Sequence, residues 1–481
     1  MVMQLHCRKP DYRKLVAAIT AEYGDPLQGL SWVSEVRARQ AEADRARLMV
    51  AMAPHIELDF KQTKPHWGPL SPGCRVCGHG SWSCLFINGK CNCRCFYCPT
   101  TQDEIGVPTT NRVPLAKAAD YADYVGHFGF TGVSISGGEP LLTFDRTLDY
   151  LRTIRRKMGD GLHLWLYTNA TLLTADHLLK LRDAGLNEIR MDISASDYGL
   201  KKAAMAVGVI PCVTVEIPAI PEDHRRLADL LPTMRDMGLN HLNLHQLRLT
   251  PHNRIHLEKR PYTFLYGEKI TVLESEWMAL ALIQEACTKK IALPINYCAF
   301  VYKHRYQRAA ARRRNALFIA KSHEAITENG YIRTLCRQGP PETMARLARQ
   351  LEASGADTRL WQLNGKKDRL YFHPSLHGRF DDKGSQVLAA YAEATLSPGI
   401  SYHFYFKEVQ VNPDKRLFVE KRPAMTETRL DDRQRQWFDA FVLADNPRAV
   451  PPCPPSEEIQ QIAAFEFIEP GLQDYGYAAN R

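Results

Sequence analysis

From Cys74 to about Leu249, short apolar runs typical of strands alternate with amphipathic runs typical of helices. This rhythm indicates βα units that build a parallel sheet. We count six units, and their strands are predicted as SCLFING, GVSISGG, LHLWLYTN, EIRMDIS, CVTVEIP and HLNLHQL. Six units are too few to close an eight-stranded barrel, so the sequence predicts an α/β fold with a partial (β/α)6 barrel.

The predicted strands also alternate internally between apolar and polar residues. Ser134, Arg190, Thr214, Glu216 and Asn243 each stand between apolar neighbours. A parallel sheet covered on both faces normally consists of nearly continuous apolar runs. Because side chains on a strand point to opposite faces in turn, the alternation predicts a polar lumen that holds a polar ligand. An antiparallel sheet with one wet face would alternate in the same way, but the helices between the strands argue against it.

Three segments are expected along the chain. Residues 1–73 are predicted as an N-terminal helical segment, which ends in the Pro- and Gly-rich KPHWGPLSPG. Residues 74–329 hold the barrel and a helical extension, and residues 330–481 form a C-terminal α+β module. In that module, YHFYFKEVQVN and RLFVEK predict strands, whereas GSQVLAAYAEATL and DDRQRQWFDAFV predict helices.

Composition and charge narrow the class of protein. With 45% hydrophobic and 24% charged residues, the chain is too apolar for a disordered protein, and it has no long uncharged apolar run. No apolar stretch follows the basic N-terminus, so we expect a cytoplasmic protein with no membrane partner. The net charge is +9, and the basic stretch 303–314 would attract an anionic substrate. The alternative is that this stretch is a solvated helix face. Nucleic acid is not favoured because no RNA- or DNA-binding module is recognisable.

The cysteines are unevenly distributed. The chain has 13, and seven of them lie between Cys74 and Cys98. In a reducing compartment such crowding indicates metal ligation. Cys91, Cys95 and Cys98 have the spacing C-x3-C-x2-C, which suits an iron-sulfur cluster that leaves one iron open. Zinc is the alternative, but zinc motifs normally offer two pairs of ligands, and no second pair recurs downstream. Cys93 also lies inside this loop.

Three features together resemble the radical S-adenosylmethionine (radical SAM) enzymes. They are the C-x3-C-x2-C motif with Tyr97 before its last cysteine, Gly137-Gly138-Glu139-Pro140 matching the family's GGEP, and the partial TIM-like barrel. The resemblance implies a [4Fe-4S] cluster on Cys91, Cys95 and Cys98 whose open iron binds S-adenosyl-L-methionine. Reductive cleavage would give a 5'-deoxyadenosyl radical that abstracts hydrogen from a peptide, a protein or a small anionic substrate. It also implies an electron donor such as flavodoxin or ferredoxin.

The same resemblance implies roles for individual residues, although it singles out no catalytic residue. The backbone of Gly137, Gly138 and Glu139 would receive the methionine amino group, with Tyr97 near the adenine and Ser194 near the ribose. Ligands of such barrels collect at the carboxyl ends of the strands. Further candidate contacts at those ends are Thr168, Asn169, Glu216 and His245.

A second cysteine set, Cys74, Cys77 and Cys84, precedes the main motif. It predicts a second iron-sulfur cluster or a zinc site, and the candidates for a fourth ligand are His79, Cys93, Cys298 and Cys336. The alternative is that these are ordinary buried or loop thiols. Cys298 and Cys336 are also candidates for a thiol that returns hydrogen to a product radical. The isolated downstream cysteines argue against an auxiliary-cluster module of the SPASM type.

Several functions therefore compete. The substrate is expected to be a peptide or protein, or a small anionic metabolite. Activation of a glycyl-radical enzyme is an alternative, although such activases tend to be compact. A cobalamin-dependent methyltransferase is weakened by the lack of a D-x-H-x-x-G motif. A different class of protein, a non-catalytic metal-binding scaffold, would keep the cysteines for structure alone.

Overall fold

The computed structural model describes residues 12–24, 27, 29–380, 384–443 and 456–475, so Cys7 and Cys453 lie outside the described residues. The chain divides into two compact units. The first contains the described residues up to Gln307 and from Pro470 onward, and the second contains Arg308–Glu469. Across the described ranges, no helix combines the length and the apolar character needed to cross a membrane.

The first unit is built on an eleven-stranded mixed sheet and a separate two-stranded sheet. Its strands are β1 (Glu57–Leu58), β2 (Lys64–Trp67), β3 (Trp82–Asn88), β4 (Thr109–Thr110), β5 (Val113–Pro114), β6 (Gly132–Gly137), β7 (His163–Thr168), β8 (Glu188–Met191), β9 (Cys212–Pro218), β10 (His241–His245), β11 (Phe264–Leu265), β12 (Thr271–Val272) and β13 (Ile295–Cys298). The large sheet has the order β1-β2-β13-β10-β9-β8-β7-β6-β3-β4-β5, and β11 pairs with β12.

Helices connect these strands. They are α1 (Tyr12–Tyr23), α2 (Glu35–Met52), α3 (Pro72–Gly78), α4 (Ala118–His127), α5 (Phe144–Met158), α6 (Ala175–Asp183), α7 (Lys201–Ala206), α8 (His224–Asp236), α9 (Arg254–Leu257), α10 (Leu273–Thr288) and α11 (Phe300–Tyr302). Short 3₁₀ turns cover Pro140–Thr143, Ile193–Ser196 and Pro221–Asp223, and a π-helical turn covers Lys303–Gln307.

The predicted parallel strands are confirmed, because β3, β6, β7, β8, β9 and β10 pair with one another in parallel. The sheet also continues beyond them. Strand β13 pairs in parallel with β10, and β2 pairs antiparallel with β13. The sequence predicts a helical extension where β13 lies and a helical segment where β2 lies, so both predictions are wrong at these strands. Each is only four residues long, which is too short for a periodic pattern to be recognised.

The strands of the parallel sheet place alternate residues on opposite faces. On β7, Leu164 and Leu166 have no exposed surface, whereas Trp165 and Tyr167 face the guanidinium of Arg190, 5.3 and 5.5 Å from their ring centroids. On β9, Glu216 reaches the same guanidinium. The polar residues therefore meet inside the curved sheet, and the aliphatic residues form its helix-covered face, as the alternation predicts.

The second unit is an antiparallel sheet covered by helices. Its strands are β14 (Ala325–Ile326), β15 (Ile332–Gln338), β16 (Trp361–Leu363), β17 (Arg369–Phe372), β18 (Gln386–Ser397), β19 (Tyr405–Asn412) and β20 (Lys415–Arg429), and its helices are α12 (Arg308–Ile319), α13 (Pro341–Ala353), α14 (Asp432–Phe438) and α15 (Glu457–Glu466). Its 3₁₀ turns are Thr358–Leu360 and Pro374–Arg379, and Asp439–Leu443 is π-helical. Leu347, Leu351, Phe372, Phe438 and Ile462 belong to its buried core.

One element of this unit corrects the sequence prediction. The segment GSQVLAAYAEATL was predicted as a helix, but Gln386–Ser397 forms strand β18 between β15 and β20. Its alanines favour a helix in isolation. Pairing on both edges and the burial of Val387, Ala389 and Tyr391 in the core outweigh that local preference.

Candidate active site

The loop after β3 carries Cys91, Cys95 and Cys98. Backbone hydrogen bonds hold it, from Cys91 N to Gln102 O at 3.1 Å and from Cys98 N to Cys95 O at 3.0 Å. The three thiols are free and partly exposed. Burial raises the pKa of Cys95 to about 12, so metal binding there must displace a proton. Three thiols on one short, accessible loop fit the donor set of a cubane cluster with one open iron.

The glycine motif at the end of β6 lies against this cysteine loop. Gly138 N donates to Asn88 O at 3.0 Å, and Glu139 N donates to Lys90 O at 2.7 Å. A Cβ atom would lie 2.2 Å from Asn88 O if added at Gly137, and 2.0 Å from Lys90 O if added at Gly138. The two glycines are therefore required for the close approach of the loop backbone.

Glu139 joins the ends of β6 and β7. Its buried carboxylate accepts hydrogen bonds from Leu141 N at 3.0 Å, from Thr168 Oγ1 at 2.7 Å and from Asn169 N at 2.7 Å. Burial raises the pKa of this carboxyl group above its usual range. The carboxylate oxygens are thus occupied by protein donors, and the side chain fixes neighbouring strand ends.

Asn169 extends this hydrogen-bond network to Cys91, the first cysteine of the loop. Its Nδ2 lies 2.9 Å from Asn92 Oδ1 and 3.6 Å from Cys91 Sγ. Thr171 Oγ1 donates to Asn169 Oδ1 at 2.7 Å and keeps the amide in this orientation. The structure therefore brings Thr168 and Asn169 together with the cysteine loop and Glu139.

Tyr97, Ser194 and Asp192 form a polar triad at the end of β8. Tyr97 OH donates to Asp192 Oδ2 at 2.9 Å and lies 2.7 Å from Ser194 Oγ, and Ser194 N donates to Asp192 Oδ1 at 3.1 Å. Burial raises the pKa of Asp192. The sequence reading did not select Asp192 as a site residue, although it follows Arg190 in the polar alternation at a strand end. Asn253 donates to Tyr97 O at 3.1 Å, but it belongs to no strand pattern or motif that would identify it from the sequence.

Two cavities flank the cysteine loop. One, of ≈ 460 Å³, is bordered by Cys95, Tyr97, Ser194, Asp197 and Arg226. The other, also ≈ 460 Å³, is bordered by Asn88, Gln102 and the two glycines Gly137 and Gly138. Volumes of about 300 to 1,000 Å³ are typical of small-molecule sites. The loop therefore lies between two spaces large enough for a nucleoside-sized ligand.

Glu216 and His245 lie in a different environment. Glu216 Oε2 accepts from Arg190 at 2.7 Å and from Asn243 at 3.1 Å, and its pKa is lowered chiefly by Arg190 against the opposing effect of burial. His245 is neutral, because burial, and after it Lys303, lowers its pKa to about 3. The structure thus places Glu216 in an ionic network and not beside the cysteine loop.

Arg190 is the centre of that network. It bonds Glu188 Oε1 at 2.8 Å and Ser71 Oγ at 3.0 Å, and Glu188 also accepts from His163 and Thr214. Arg190 and Glu188 are almost fully buried. The positive charge of Arg190 is therefore compensated by two carboxylates, those of Glu188 and Glu216.

The second cysteine set divides in the structure. Cys74 and Cys77 lie on α3, whereas Cys84 lies on β3 and is hydrogen-bonded to Ser134. Of the predicted fourth ligands, Cys298 lies at the end of β13. Like Cys74 and Cys77, it raises the pKa of the buried Lys64. His79 packs instead against Phe60, Cys93 N donates to Cys91 Sγ, and Cys336 belongs to the second unit.

The predicted basic stretch is partly used for packing. Arg305 donates to Gly471 O at 2.9 Å in the first unit, and in the second unit Arg312 donates to Asn329 O at 2.8 Å. Arg313 donates to Glu328 O. Lys303, by contrast, contributes to lowering the pKa values of His245 and Glu216 at the mouth of the lumen.

Comparisons with known proteins bear on this site. The sequence model of the Radical SAM superfamily matches residues 85–210. A curated protein of Methanocaldococcus jannaschii, named provisionally as a glycyl-radical enzyme activating enzyme, is 29% identical over 290 residues, which are 58% of this chain and 76% of that protein. A GTP 3',8-cyclase of Erythrobacter litoralis is 33% identical over 114 residues, which are 24% of this chain and 33% of the cyclase.

Solved structures were also compared. SuiB of Streptococcus suis bound to S-adenosylmethionine is 12% identical, with a TM-score of 0.37, and the match covers 57% of this chain and 67% of SuiB. The superfamily match includes the GGE motif, Thr168, Asn169 and all three cysteines of the loop. The match to the superfamily model and the similarity to the Methanocaldococcus jannaschii protein identify the chain as a member of the radical SAM superfamily and as a radical SAM enzyme.

Proposed function

We propose that Cys91, Cys95 and Cys98 hold a [4Fe-4S] cluster beside bound S-adenosyl-L-methionine, and that the substrate carries a carboxylate or phosphate group. When bound, the cluster and the cofactor supply one-electron cleavage to a 5'-deoxyadenosyl radical that abstracts hydrogen from the substrate. The observation that carries the proposal is the position of the cysteine loop: its backbone bonds the GGE motif, and with Tyr97 and Ser194 it borders a cavity large enough for a nucleoside.

The protein's own groups have distinct tasks in this proposal. Asn169 orients Cys91, and Glu139 holds the strand ends that support it. Tyr97 and Ser194, which Asp192 holds in place at the border of the cavity, would face hydroxyl groups such as those of a ribose. The protein thus supplies position, while the cofactor supplies the reactive chemistry.

An anionic substrate is supported by charges at the mouth of the lumen. Lys303 and Arg248 both lie over the ring of Phe300, 5.2 and 5.6 Å from its centroid. Lys303 also lies near His245, which ends β10 and stays neutral. Two cations over one ring, with a neutral imidazole near Lys303, favour a carboxylate or phosphate, whether on a peptide, a protein or a small metabolite.

The test is anaerobic reconstitution with iron and sulfide, followed by a chemical or flavodoxin reductant and chromatography of 5'-deoxyadenosine. We expect reductant-dependent release of 5'-deoxyadenosine. A fully iron-loaded, reduced protein that leaves the cofactor intact would refute the proposal and favour a metal-binding scaffold.

The substrate class is tested with acidic peptides and carboxylated or phosphorylated metabolites, whose products are detected by mass spectrometry. Lys303→Met should raise KM for the substrate at least tenfold and leave cofactor cleavage without substrate unchanged. Lys201→Met, which removes an exposed lysine on α7, is the matched control. Equal KM values in the two variants would contradict the anion site.

Activation of a glycyl-radical enzyme is the second candidate function, because the Methanocaldococcus jannaschii match extends over 290 residues. It predicts a protein substrate in which the radical remains on a glycine. Electron paramagnetic resonance after turnover with a candidate partner enzyme would detect that stable radical, whereas a modified peptide or metabolite without a protein radical would favour the first proposal.

A further inference from the structure

Three cysteine thiols converge inside the first unit, away from the cysteine loop. Cys74 and Cys77 lie on α3, and Cys298 ends β13. Asn296, two residues before Cys298 and therefore on the same face of β13, has its Nδ2 3.9 Å from Cys74 Sγ. The three thiols and the Glu216 carboxyl group raise the pKa of Lys64 against the opposing effect of burial. Two secondary-structure elements distant in sequence therefore direct sulfur atoms towards the same part of the lumen.

The sulfur atoms are surrounded by hydrogen-bond donors. Cys77 Sγ accepts from Gln307 Nε2 at 2.9 Å and from Tyr302 OH at 3.5 Å. Cys74 Sγ accepts from Asn243 Nδ2 at 3.3 Å, and the Arg190 guanidinium lies 3.7 Å away. Donors aimed at sulfur stabilise thiolates, and hydrogen bonds of this kind surround metal-bound thiolates.

Lys64 carries a buried positive charge. It is 1% exposed. Its nearest recorded contact is the Tyr302 ring, 4.4 Å from Nζ to the centroid. The other buried cation, Arg190, is balanced by Glu188 and Glu216. A buried ammonium costs several kcal/mol unless anionic groups lie near it, so negative charge on the neighbouring thiols and on Glu216 stabilises Lys64.

The backbone turn just before Lys64 is strained, and it leads into the strand that carries this lysine. Phe60, Lys61 and Gln62 have φ values of 52°, 53° and 66°, in the left-handed region. Such a conformation costs about 1 to 2 kcal/mol for each residue other than glycine. The Phe60 ring fills the space beside Gly78, where an added Cβ would lie 2.0 Å from the ring. Strain that persists in a packed structure is a sign of function.

We propose that the thiolates of Cys74, Cys77 and Cys298 bind a second iron-sulfur cluster in the barrel lumen, whose negative charge Lys64 balances. A substrate carboxylate would explain Lys64, but it would not explain three neighbouring thiols, two of which receive hydrogen bonds. Cys84 is outside the ligand set, because it lies on β3 and is not among the thiols that raise the pKa of Lys64. Three protein thiolates leave one iron of a cubane open to a substrate group.

The spacing of the thiols favours a cluster over a single ion. Within the described ranges, only Glu57, Asp59 and His66 form a group of three ligand atoms within 4.8 Å of one another. The lumen thiols are thus more widely spaced than the ligands of one zinc ion, and the same is true of Cys91, Cys95 and Cys98. A polynuclear cluster accommodates the wider spacing.

The experiment measures iron, sulfide and zinc in the reconstituted full-length protein and in single-alanine variants. We expect about eight iron atoms per chain in the unmodified protein, and about four in each of the Cys74→Ala, Cys77→Ala and Cys298→Ala variants. Cys287→Ala, which removes a buried cysteine of α10, is the matched control and should keep about eight.

Other results would overturn the inference. They are about four iron atoms in the unmodified protein, zinc in place of the second set of iron atoms, or loss of iron in Cys84→Ala but not in Cys298→Ala. The proposal also stands apart from the proposed function. The lumen variants should keep the cluster of the cysteine loop and release 5'-deoxyadenosine without substrate, whereas Cys95→Ala should keep only the lumen cluster.

Lys64→Met gives a second readout that does not depend on the loss of a ligand. Removing a positive charge beside a cluster makes reduction harder. A redox titration followed by electron paramagnetic resonance should therefore show a lower midpoint potential for one of the two clusters and an unchanged one for the other. Two unchanged potentials in a protein with full iron content would contradict the placement of the cluster beside Lys64.

Discussion

The cysteine loop and the barrel lumen use cysteine in opposite surroundings. Cys91, Cys95 and Cys98 are partly exposed on a loop between two cavities and are supported mainly by backbone hydrogen bonds. The lumen cysteines lie among charges and amides that already bond one another. Exposed ligands on a fixed backbone suit exchange with small molecules, whereas an enclosed polar network couples its members to the stability of the fold. Changes at the loop should therefore alter activity, and changes in the lumen should alter stability.

The largest expected effect separates two cysteines of the same loop. Cys95→Ala should abolish release of 5'-deoxyadenosine and remove about four iron atoms per chain, because three thiolates are the minimum for the cluster. Cys93→Ala should retain both. Circular dichroism should show equal melting temperatures for the two metal-free variants. A Cys95→Ala variant that still cleaves the cofactor would refute the ligand assignment.

In the lumen, Arg190→Met should destabilise the protein by about 3 to 5 kcal/mol, because it leaves two buried carboxylates without their cation. The exposed pair Arg182 and Asp183 offers the control, since Arg182→Met should cost less than about 1 kcal/mol. Urea denaturation measures both. Equal costs would show that the lumen network contributes no more than a surface ion pair, and would remove the contrast with the loop.

Acid should weaken the lumen through His241. Burial, and among the nearby cations Arg190 and Arg75, lowers its pKa from 6.5 to about 4, while Glu188 opposes this change. Between these values the unfolded chain binds the proton more tightly, so stability falls as the pH falls. From pH 7 to pH 5 the contribution is about 2 kcal/mol. Urea titrations at the two pH values should show a smaller loss in His241→Gln than in the unmodified protein, and an equal loss would contradict the assignment.

The smallest effect concerns the polar triad at the end of β8. Ser194→Ala should raise KM for the cofactor by about tenfold, which corresponds to about 1.4 kcal/mol for one lost hydrogen bond. Ser196→Ala in the same 3₁₀ turn removes only a bond to Ile193 O and should leave KM unchanged. Steady-state release of 5'-deoxyadenosine measures both, and equal KM values would separate the triad from cofactor binding.

The contrast between the two regions also explains what the sequence could predict. The parallel strands, the polar lumen and the cysteine motif depend on short-range patterns, and the family motif added the GGE loop. No sequence pattern points to Lys64, because the groups that raise its pKa, Cys298 and Glu216 among them, lie far away in sequence. Likewise, strand β18 has a helical composition, and only its pairing partners decide its conformation.

The strands that extend the sheet beyond β10 also determine the order of assembly. The six consecutive βα units can pair as they leave the ribosome, but β2 must wait for β13, which is synthesised much later. Until then β2 pairs with β1 on one edge and still lacks β13 on the other. The pairing of β2 with β13 is therefore a late, long-range and slow step of folding. A nascent chain can thus complete its cysteine loop while the lumen beneath remains open to water and to incoming metal.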